Sequence, residues 1–246
     1  MKILAIGNSF SQDATRYLHQ IAKSNNDYIK IVNLYISGCS LKMHYYNILE
    51  NAKDYSFEFN GDTTGIFVTI KEALMSDDWD YITLQQVSNQ SYNFSTYQPY
   101  LDELVTYIKK YCPHSKLVIH ETWAYEENSK KLNDTGYKTP FEMFNDVKDS
   151  YKKAAKSINA SGIIPGGEVL MNLLNNGIKK IHRDTFHATY GVGRFALALC
   201  WYQFFTNKDI NDISFNEFDD PVTEEEIKIV KKVVTDVAKN NSYSLY

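Results

Sequence analysis

Residues 2–11 read Lys-Ile-Leu-Ala-Ile-Gly-Asn-Ser-Phe-Ser, and this stretch decides the fold. Its first part, Lys2–Ile6, has the length and apolar character of a buried strand. The following segment, Gln12–Lys23, has the spacing of an amphipathic helix. Gly7 lies between them and permits a tight turn from strand to helix. The stretch therefore predicts a strand that passes directly into a helix.

The same alternation continues along the chain. Short apolar runs predict strands, and the amphipathic segments between them predict helices. This pattern is typical of an α/β fold with a parallel sheet and helices on both faces. The predicted strands are Lys2–Ile6, Ile29–Tyr35, Tyr81–Gln85, Lys116–His120 and Gly162–Pro165. The predicted helices are Gln12–Lys23, Tyr97–Tyr111, Phe141–Ile158, Gly193–Phe205 and Glu224–Lys239.

Two of these helices carry further signals. In Tyr97–Tyr111 the apolar residues at helical spacing predict the buried face, and they are Leu101, Leu104, Val105 and Ile108. The last helix starts after Thr223 and has Glu226 three residues later, which is a capping-box pattern. The residues that follow this helix, Asn240–Tyr246, are expected to fray.

Two regions interrupt the alternation. Tyr55–Ile70 contains Asn60-Gly61 between apolar residues and predicts a small hairpin insertion. Ala124–Pro140 is polar and predicts a long surface loop. Both follow the carboxyl end of a strand, which is the edge where open parallel sheets bind ligands. The sequence has no internal repeat and no long linker, so residues 1–246 are expected to form one domain.

The composition argues against several classes of protein. Hydrophobic residues make up 43% of the chain and charged residues 23%, which is ordinary for a globular protein and unlike a disordered one. The net charge is −4, with no run of five or more basic residues, which argues against nucleic acid or an anionic membrane as a partner. The 19 Tyr, 13 Phe and 3 Trp would suit stacking on sugars or reflect a tyrosine-rich genome.

Cysteine usage and the first residues bear on the cellular compartment. Cys39, Cys112 and Cys200 are far apart and odd in number, so they indicate neither a disulfide framework nor a CxxC metal site. The apolar run Ile3–Ile6 is too short for a signal peptide or a membrane span. The chain as written is expected to be cytoplasmic, and a trimmed exported protein would look the same.

Ser9 is the first candidate catalytic residue along the chain. It follows the first strand, so its hydroxyl is expected at the carboxyl edge of the sheet, beside the backbone N–H groups of a helix N-terminus. Such N–H groups can stabilise an oxyanion. The structural alternative is that Ser9 or Ser11 only caps the helix.

Asp184 and His187 form the second signal. An acid and a histidine three residues apart on a loop can fold so that the carboxylate fixes one ring nitrogen and leaves the other free as a base. Such a pair can also be a plain surface turn. With His182 it could form half of a metal site, but the sequence shows no third ligand cluster, and no metal is predicted.

Together the two signals resemble the pattern of the SGNH, or GDSL-like, hydrolase superfamily. The sequence is most similar to a bacterial group catalogued as a domain of unknown function, whose members carry a Gly-Asn-Ser-Phe start. The resemblance covers nearly the whole chain. The similar segments are Gly7–Ser11, Ile36–Ser40, Leu84–Ser88, Thr122–Tyr125 and Asp184–Arg194.

This resemblance implies a flavodoxin-like, three-layer fold with strand order 2-1-3-4-5. It implies that Ser9 attacks an ester carbonyl, with His187 as the base and Asp184 as its support. It also implies that the Ser9 and Gly38 N–H groups enter the oxyanion hole, although Gly38 alone reads equally well as a turn glycine. No cofactor is implied.

The segment after the third predicted strand departs from the superfamily pattern. The usual Gly-x-Asn-Asp, whose Asn donates to the oxyanion, is replaced by Gln85-Gln86-Val87-Ser88-Asn89. Gln86, Ser88 and Asn89 can donate, and Gln86 or Ser88 is predicted to do so. In the segment after the first predicted strand, Asn8 is found where the superfamily has Asp, and it is expected to keep the hydrogen bonds of the turn.

Two further residues have competing interpretations. Trp123 follows the fourth strand at the same edge and is predicted to wall the substrate pocket, with core packing as the alternative. Cys39 lies beside Gly38 and could be a nucleophile, but a buried thiol is the commoner role.

These features and the resemblance predict a serine esterase that hydrolyses a small acyl ester through an acyl-enzyme. The resemblance also suggests an O-acetyl group on a carbohydrate as substrate, since superfamily relatives of that kind are common. One alternative is a non-catalytic ligand-binding domain with the same fold. Another is a flavodoxin-like phosphate or nucleotide binder using Gly7–Ser11, which the lack of a Gly-rich phosphate loop disfavours. The sequence does not indicate an oligomeric state.

Overall fold

A seven-stranded sheet forms the centre of the molecule in a computed structural model, which describes residues 1–240. Its strands are β1 (Lys2–Gly7), β2 (Lys30–Tyr35), β3 (Tyr55–Phe59), β4 (Asp62–Val68), β5 (Tyr81–Leu84), β6 (Lys116–His120) and β7 (Ile163–Ile164). The order across the sheet is β4-β3-β2-β1-β5-β6-β7. The hairpin of β3 and β4 is antiparallel, and the other five strands are parallel. Those five have the predicted order 2-1-3-4-5.

Burial on both faces explains the continuous apolar run of β1. Successive side chains of a strand point to opposite faces of its sheet. Ile3 and Ala5 pack into the hydrophobic core on one face, and Leu4 and Ile6 pack into the core on the other. A central parallel strand therefore needs apolar residues at every position.

Helices cover both faces of the sheet. They are α1 (Ser9–Thr15), α2 (Leu18–Ser24), α3 (Leu41–Glu50), α4 (Ile70–Leu74), α5 (Tyr100–Tyr111), α6 (Lys130–Thr135), α7 (Pro140–Ser157), α8 (Gly166–Asn175), α9 (Val192–Thr206) and α10 (Glu224–Asn240). The core on one face is formed mainly by α1, α2, α8, α9 and α10, and the core on the other by α3, α4, α5 and α7. None of the helices within residues 1–240 is both long and apolar enough to cross a membrane.

The predicted helices are all present, with two corrections. The helix predicted as Tyr97–Tyr111 begins at Tyr100. The segment predicted as Gln12–Lys23 is two helices, α1 and α2, separated at Arg16 and Tyr17. In α5 the side chains of Leu101, Leu104 and Ile108 are buried as predicted. Val105 in the same helix is only half-buried.

The capping box at the start of α10 is also present. The Thr223 N–H donates to Glu226 Oε2 at 2.8 Å, and the Glu226 N–H donates to Thr223 Oγ1 at 3.2 Å. The tail expected to fray is Asn240–Tyr246. Asn240 is instead the last residue of α10, and residues 241–246 lie outside the described residues.

Four helices were not predicted: α3, α4, α6 and α8. The α6 helix lies inside the region predicted as a surface loop. The α8 helix starts with Gly166-Gly167, which resembles a turn in the sequence. A Cβ atom at Gly167 would lie 2.1 Å from the Thr122 carbonyl oxygen, so glycine is required here by close packing of the helix on the chain after β6.

Candidate active site

Ser9 is the first residue of α1, directly after the turn from β1. Asn8 caps this helix, because its side-chain oxygen accepts the Phe10 N–H at 3.0 Å. The capping role therefore belongs to Asn8, and the Ser9 hydroxyl is left for other contacts. Ser11 is buried, and its Oγ lies 2.6 Å from Asn33 Oδ1, away from solvent.

Further hydrogen bonds hold Asn8 in place. Its side-chain nitrogen donates to the Cys39 carbonyl at 3.0 Å, and its side-chain oxygen accepts from Gln85 Nε2 at 2.7 Å. The oxygen of Gln85 lies 2.8 Å from Nδ1 of the buried His120. Asn8 thus keeps the turn hydrogen bonds expected of it, and the row of polar groups fixes the position of the Ser9 backbone.

Ser9, His187 and Asp184 are joined by two short contacts. His187 Nε2 lies 2.8 Å from Ser9 Oγ, and His187 Nδ1 lies 2.7 Å from Asp184 Oδ2. The Asp184 carboxylate also accepts the His187 backbone N–H at 2.9 Å. Burial by itself would raise the pKa of Asp184, but the hydrogen bonds from His187 hold it below its usual value. The carboxylate is therefore suited to hold Nδ1 protonated, which leaves Nε2 free to accept a proton.

The loop that carries His187 has a strained residue. Thr185 has a φ of +78°, a region in which a β-branched residue is a genuine outlier. Its carbonyl accepts the Glu126 N–H at 2.8 Å, and the neighbouring Phe186 carbonyl accepts Trp123 Nε1 at 2.7 Å. These bonds tie the loop to the segment after β6, and they hold a conformation that brings Asp184 back towards His187.

Asp13 connects the two halves of the site. It lies in α1, one helical turn after Ser9, and is fully buried. Its carboxylate accepts hydrogen bonds from the guanidinium groups of Arg183 and Arg194 at 2.9 Å and from the Ala188 N–H at 3.1 Å. Because these partners lie on both sides of the histidine loop, Asp13 fixes the position of that loop against the helix that starts with Ser9.

We expect Asp13→Asn to lower the free energy of unfolding by about 3 kcal/mol, because Arg183 loses its carboxylate partner in a buried site, whereas Arg194 keeps its ion pair with Asp219. Urea denaturation followed by circular dichroism measures this change. Asp134→Asn is the matched control: Asp134 pairs with Lys130 on the exposed face of α6, so its removal should cost no more than about 0.5 kcal/mol. Equal effects of the two substitutions would contradict the anchoring role of Asp13.

Ser9 and Gly38, whose backbone N–H groups are the expected oxyanion donors, both line one cavity. The cavity has a volume of about 260 Å³, and Ser9, Gly38 and His187 are among its lining residues. Within residues 1–240 neither the Ser9 N–H nor the Gly38 N–H has a hydrogen-bond partner. Gly38 has a φ of +63°, and no atom lies within 4 Å of the place a Cβ would occupy. This conformation favours glycine, and the open space lets a substrate approach the backbone.

The structure does not bring the Gln86 side chain to this cavity, which corrects the expectation that it donates to an oxyanion. Gln86 is fully buried. Its amide nitrogen donates to the carbonyl and hydroxyl oxygens of Thr96 at 3.1 and 3.2 Å, and its oxygen accepts the N–H groups of Leu41 and Val87. With both donor hydrogens used, Gln86 ties three segments of the fold together.

Ser88 and Asn89 do line the cavity. Ser88 is buried, and its Oγ accepts a hydrogen bond from the Tyr125 hydroxyl at 3.1 Å, which leaves the Ser88 proton free to donate. Asn89 is exposed at the same cavity. Ser88 therefore lies at the cavity beside Ser9, and Asn89 is the second polar side chain of the segment after β5 that lines this cavity.

Trp123 does not line the cavity, contrary to the prediction. It is fully buried and stacks on the ring of Phe10, with the ring centroids 4.1 Å apart and the planes 3° from parallel. Its indole nitrogen holds the Phe186 carbonyl at 2.7 Å. Phe10 and Phe186 line the cavity, and Trp123 contacts the ring of the first and the backbone carbonyl of the second.

Two other candidates lie in unreactive surroundings. Cys39 is buried, and burial raises the pKa of its thiol to about 12, which disfavours the thiolate that a nucleophile needs. His182 is also buried, which lowers its pKa to about 4, and its Nε2 contacts the Ala124 carbonyl at 3.0 Å. Among residues 1–240 no three or more His, Cys, Asp or Glu side chains are grouped so that they could hold a metal ion.

Several site residues could not be assigned from the sequence alone. Phe10, Phe186 and Lys131 line the cavity, and Asp13 anchors the histidine loop. The available signals were the four-residue spacing between Ser9 and Asp13, and the position of Lys131 in the segment that follows the fourth predicted strand at the ligand-binding edge.

Two solved structures identify the class of fold. A candidate SGNH hydrolase from Slackia heliotrinireducens is 18% identical to this chain, with a TM-score of 0.59, and the match covers 82% of this chain and 97% of that one. An acetylxylan esterase from Geobacillus stearothermophilus is 14% identical, with a TM-score of 0.53 and coverage of 82% and 92%. The protein therefore has the α/β fold of the SGNH, or GDSL-like, hydrolases.

The chain belongs to the family described as Domain of unknown function (DUF4886), whose model matches residues 2–238. A DUF4886 family protein from Bacteroides uniformis, known from a crystal structure, is 30% identical, with a TM-score of 0.90 and coverage of 100% of this chain and 98% of that one. No curated protein matches the chain in sequence. The resemblances to the SGNH-type fold and to a bacterial family of unknown function are thus confirmed.

Proposed function

We propose that this protein is a serine esterase that hydrolyses a small acyl ester through an acyl-enzyme. The observation that carries the proposal is the chain of contacts from Ser9 Oγ to His187 Nε2 and from His187 Nδ1 to Asp184, at 2.8 and 2.7 Å, beside an open cavity. A nucleophile, a base and a group that orients the base are the parts that acyl transfer requires.

Acylation begins when Ser9 Oγ attacks the ester carbonyl carbon and its proton passes to His187 Nε2. The carbonyl oxygen becomes an oxyanion, for which the Ser9 and Gly38 N–H groups are the backbone donors. Collapse of the tetrahedral intermediate breaks the bond to the alcohol. The imidazolium of His187 gives its proton to the departing alkoxide, and the acyl group remains on Ser9.

Deacylation repeats these steps with water. His187 Nε2 takes a proton from water as the oxygen attacks the acyl carbon, and the second oxyanion occupies the same donors. Ser9 then leaves as the alkoxide and regains its proton from His187, which releases the carboxylic acid. Asp184 stays ionised throughout and stabilises the imidazolium in both half-reactions.

The cavity suits a small acyl group. Its volume of about 260 Å³ lies just below the range of roughly 300–1,000 Å³ found for pockets that hold drug-sized ligands. The aromatic rings of Phe10 and Phe186 offer apolar contact, and Ser37, Ser88 and Asn89 offer hydrogen bonds. Acetyl groups on a carbohydrate are the substrates we favour, and the fold shared with an acetylxylan esterase supports this choice.

Ser88 is the side chain we propose as the third oxyanion donor. We expect Ser88→Ala to lower kcat by about 10²–10³ with little change in KM, because the hydrogen bond strengthens only in the transition state. Steady-state kinetics on p-nitrophenyl acetate measures both constants, and circular dichroism checks the fold. If Asn89→Ala shows this loss and Ser88→Ala does not, the donor is the Asn89 amide instead.

Covalent labelling with a fluorophosphonate probe tests the function itself. An activated Ser9 should be labelled, and mass spectrometry of the digested protein should place the label on the peptide that contains it. A parallel screen uses p-nitrophenyl esters of increasing chain length together with acetylated sugars. A protein that is neither labelled nor active on any of these esters would be a non-catalytic binding domain on the same fold.

A further inference from the structure

The cavity beside Ser9 carries a single full charge, and it is positive. Lys131 is among the lining residues, and no aspartate or glutamate is. Apart from the His187 imidazole, the other lining groups are uncharged, whereas the whole chain has a net charge of −4. A positive group at the cavity of an acidic protein is therefore a local feature and not a reflection of overall composition.

Aromatic rings hold the Lys131 ammonium at this place. Its Nζ lies 4.0 Å from the centroid of the Phe186 ring and 5.5 Å from that of Tyr125. Attraction between an ammonium and ring faces at these distances favours this side-chain position. The Phe186 carbonyl accepts a hydrogen bond from Trp123, and the Phe186 ring packs against the imidazole of His187 with the ring centroids 3.9 Å apart and the planes tilted by 37°.

The backbone of Lys131 is fixed as well. It lies in α6, whose first turn is capped by the Ser129 hydroxyl, which accepts the Leu132 N–H at 3.1 Å. The adjacent Lys130 forms an ion pair with Asp134 at 2.6 Å. In contrast, Lys131 has no carboxylate within ion-pair distance anywhere in residues 1–240. Its charge is thus available to a ligand in the cavity.

We propose that Lys131 selects ester substrates that carry a carboxylate or a similar anion close to the scissile bond. This inference rests on the proposed esterase function and adds the charge of its substrate. An anion paired with Lys131 would hold the ester beside Ser9. The anion can belong to the acyl part or to the alcohol part of the ester.

Two pairs of substrates distinguish these sources. For the acyl part, mono-p-nitrophenyl succinate is compared with the neutral p-nitrophenyl butyrate. For the alcohol part, acetylated glucuronate is compared with acetylated glucose. In at least one pair, Lys131→Gln should lower the ratio of kcat/KM for the anionic over the neutral ester by about fivefold, the upper end for a solvent-exposed ion pair. Lys131→Arg should retain the ratio.

Lys130→Gln is the matched control. It removes the same charge one residue away, from a side chain that pairs with Asp134 and does not line the cavity. It should leave both ratios as they are. The ratios should also converge as salt concentration rises, since screening weakens an exposed ion pair.

Binding to the inactive Ser9→Ala protein separates this inference from the proposed function. By calorimetry, monomethyl succinate or methyl glucuronoside, which keeps its carboxylate, should bind more tightly than methyl butyrate or methyl glucoside, and adding Lys131→Gln should remove that difference. If the unaltered protein hydrolyses none of the esters but this binding preference is observed, the esterase proposal is refuted and the anion site at Lys131 is supported. If Lys131→Gln changes the preference for the anionic member in none of the pairs, in turnover or in binding, the proposed role of Lys131 is wrong.

Discussion

Ser9→Ala should fold normally and hydrolyse p-nitrophenyl acetate at least about 10³-fold more slowly than the unaltered protein, given the losses seen when one member of a catalytic triad is removed. The hydroxyl that this substitution removes is the group that would attack the ester, and its contact with His187 Nε2 has no structural substitute. Initial rates measure the loss, and thermal unfolding confirms that the protein is intact.

Ser11→Ala is the control for this experiment. Its hydroxyl lies two residues further along and makes hydrogen bonds inside the protein, with Asn8 and Asn33. We expect Ser11→Ala to lower the unfolding free energy by about 1–3 kcal/mol, because buried polar partners lose a hydrogen bond, and to retain activity in the folded protein. If Ser11→Ala abolishes hydrolysis and Ser9→Ala does not, the nucleophile has been assigned to the wrong serine.

His187→Ala should be as damaging as Ser9→Ala, at least about 10³-fold in kcat, and the double variant should be little worse than either single one. The reason is that the base and the nucleophile act as one unit: without His187 Nε2, the Ser9 proton has no acceptor at 2.8 Å. Rates of the two single variants and the double variant on one ester give the comparison. Additive losses would mean that the two residues act independently.

His182→Ala separates the two histidines of the loop. Because His182 contacts the Ala124 carbonyl away from the cavity, its removal should leave most of the activity. The same assay tests the metal alternative. Inactivation by EDTA that zinc restores would contradict a triad mechanism and favour a metal-activated water.

The sheet could be predicted from the sequence because its signal is local. Each central strand is buried on both faces, so runs such as Ile3–Ile6 are continuously apolar and stand out from the amphipathic helices beside them. The position of Ser9 follows from the same logic, since the carboxyl ends of parallel strands meet at one edge. His187 lies after α8 and not directly after a strand, so its pairing with Ser9 was predicted only from the resemblance to the SGNH superfamily.

The supporting residues could not be predicted, because their roles depend on partners far away in the chain. Gln86 has the chemistry of an oxyanion donor, but Leu41 and Thr96 from other elements occupy its amide. Trp123 follows a strand at the ligand-binding edge, but Phe10 covers it. Sequence position gives the edge of the sheet, whereas tertiary packing decides which side chains reach the cavity.

The wide separation of the paired residues has a consequence for synthesis. Ser9 and His187 are 178 positions apart, and the contacts of Asp13 with the histidine loop span similar distances. During translation the serine leaves the ribosome early, while its histidine and the arginines that hold the loop emerge only after all seven strands of the sheet. A nascent or prematurely terminated chain therefore displays the serine hydroxyl without its base, and the complete constellation forms only in the finished polypeptide.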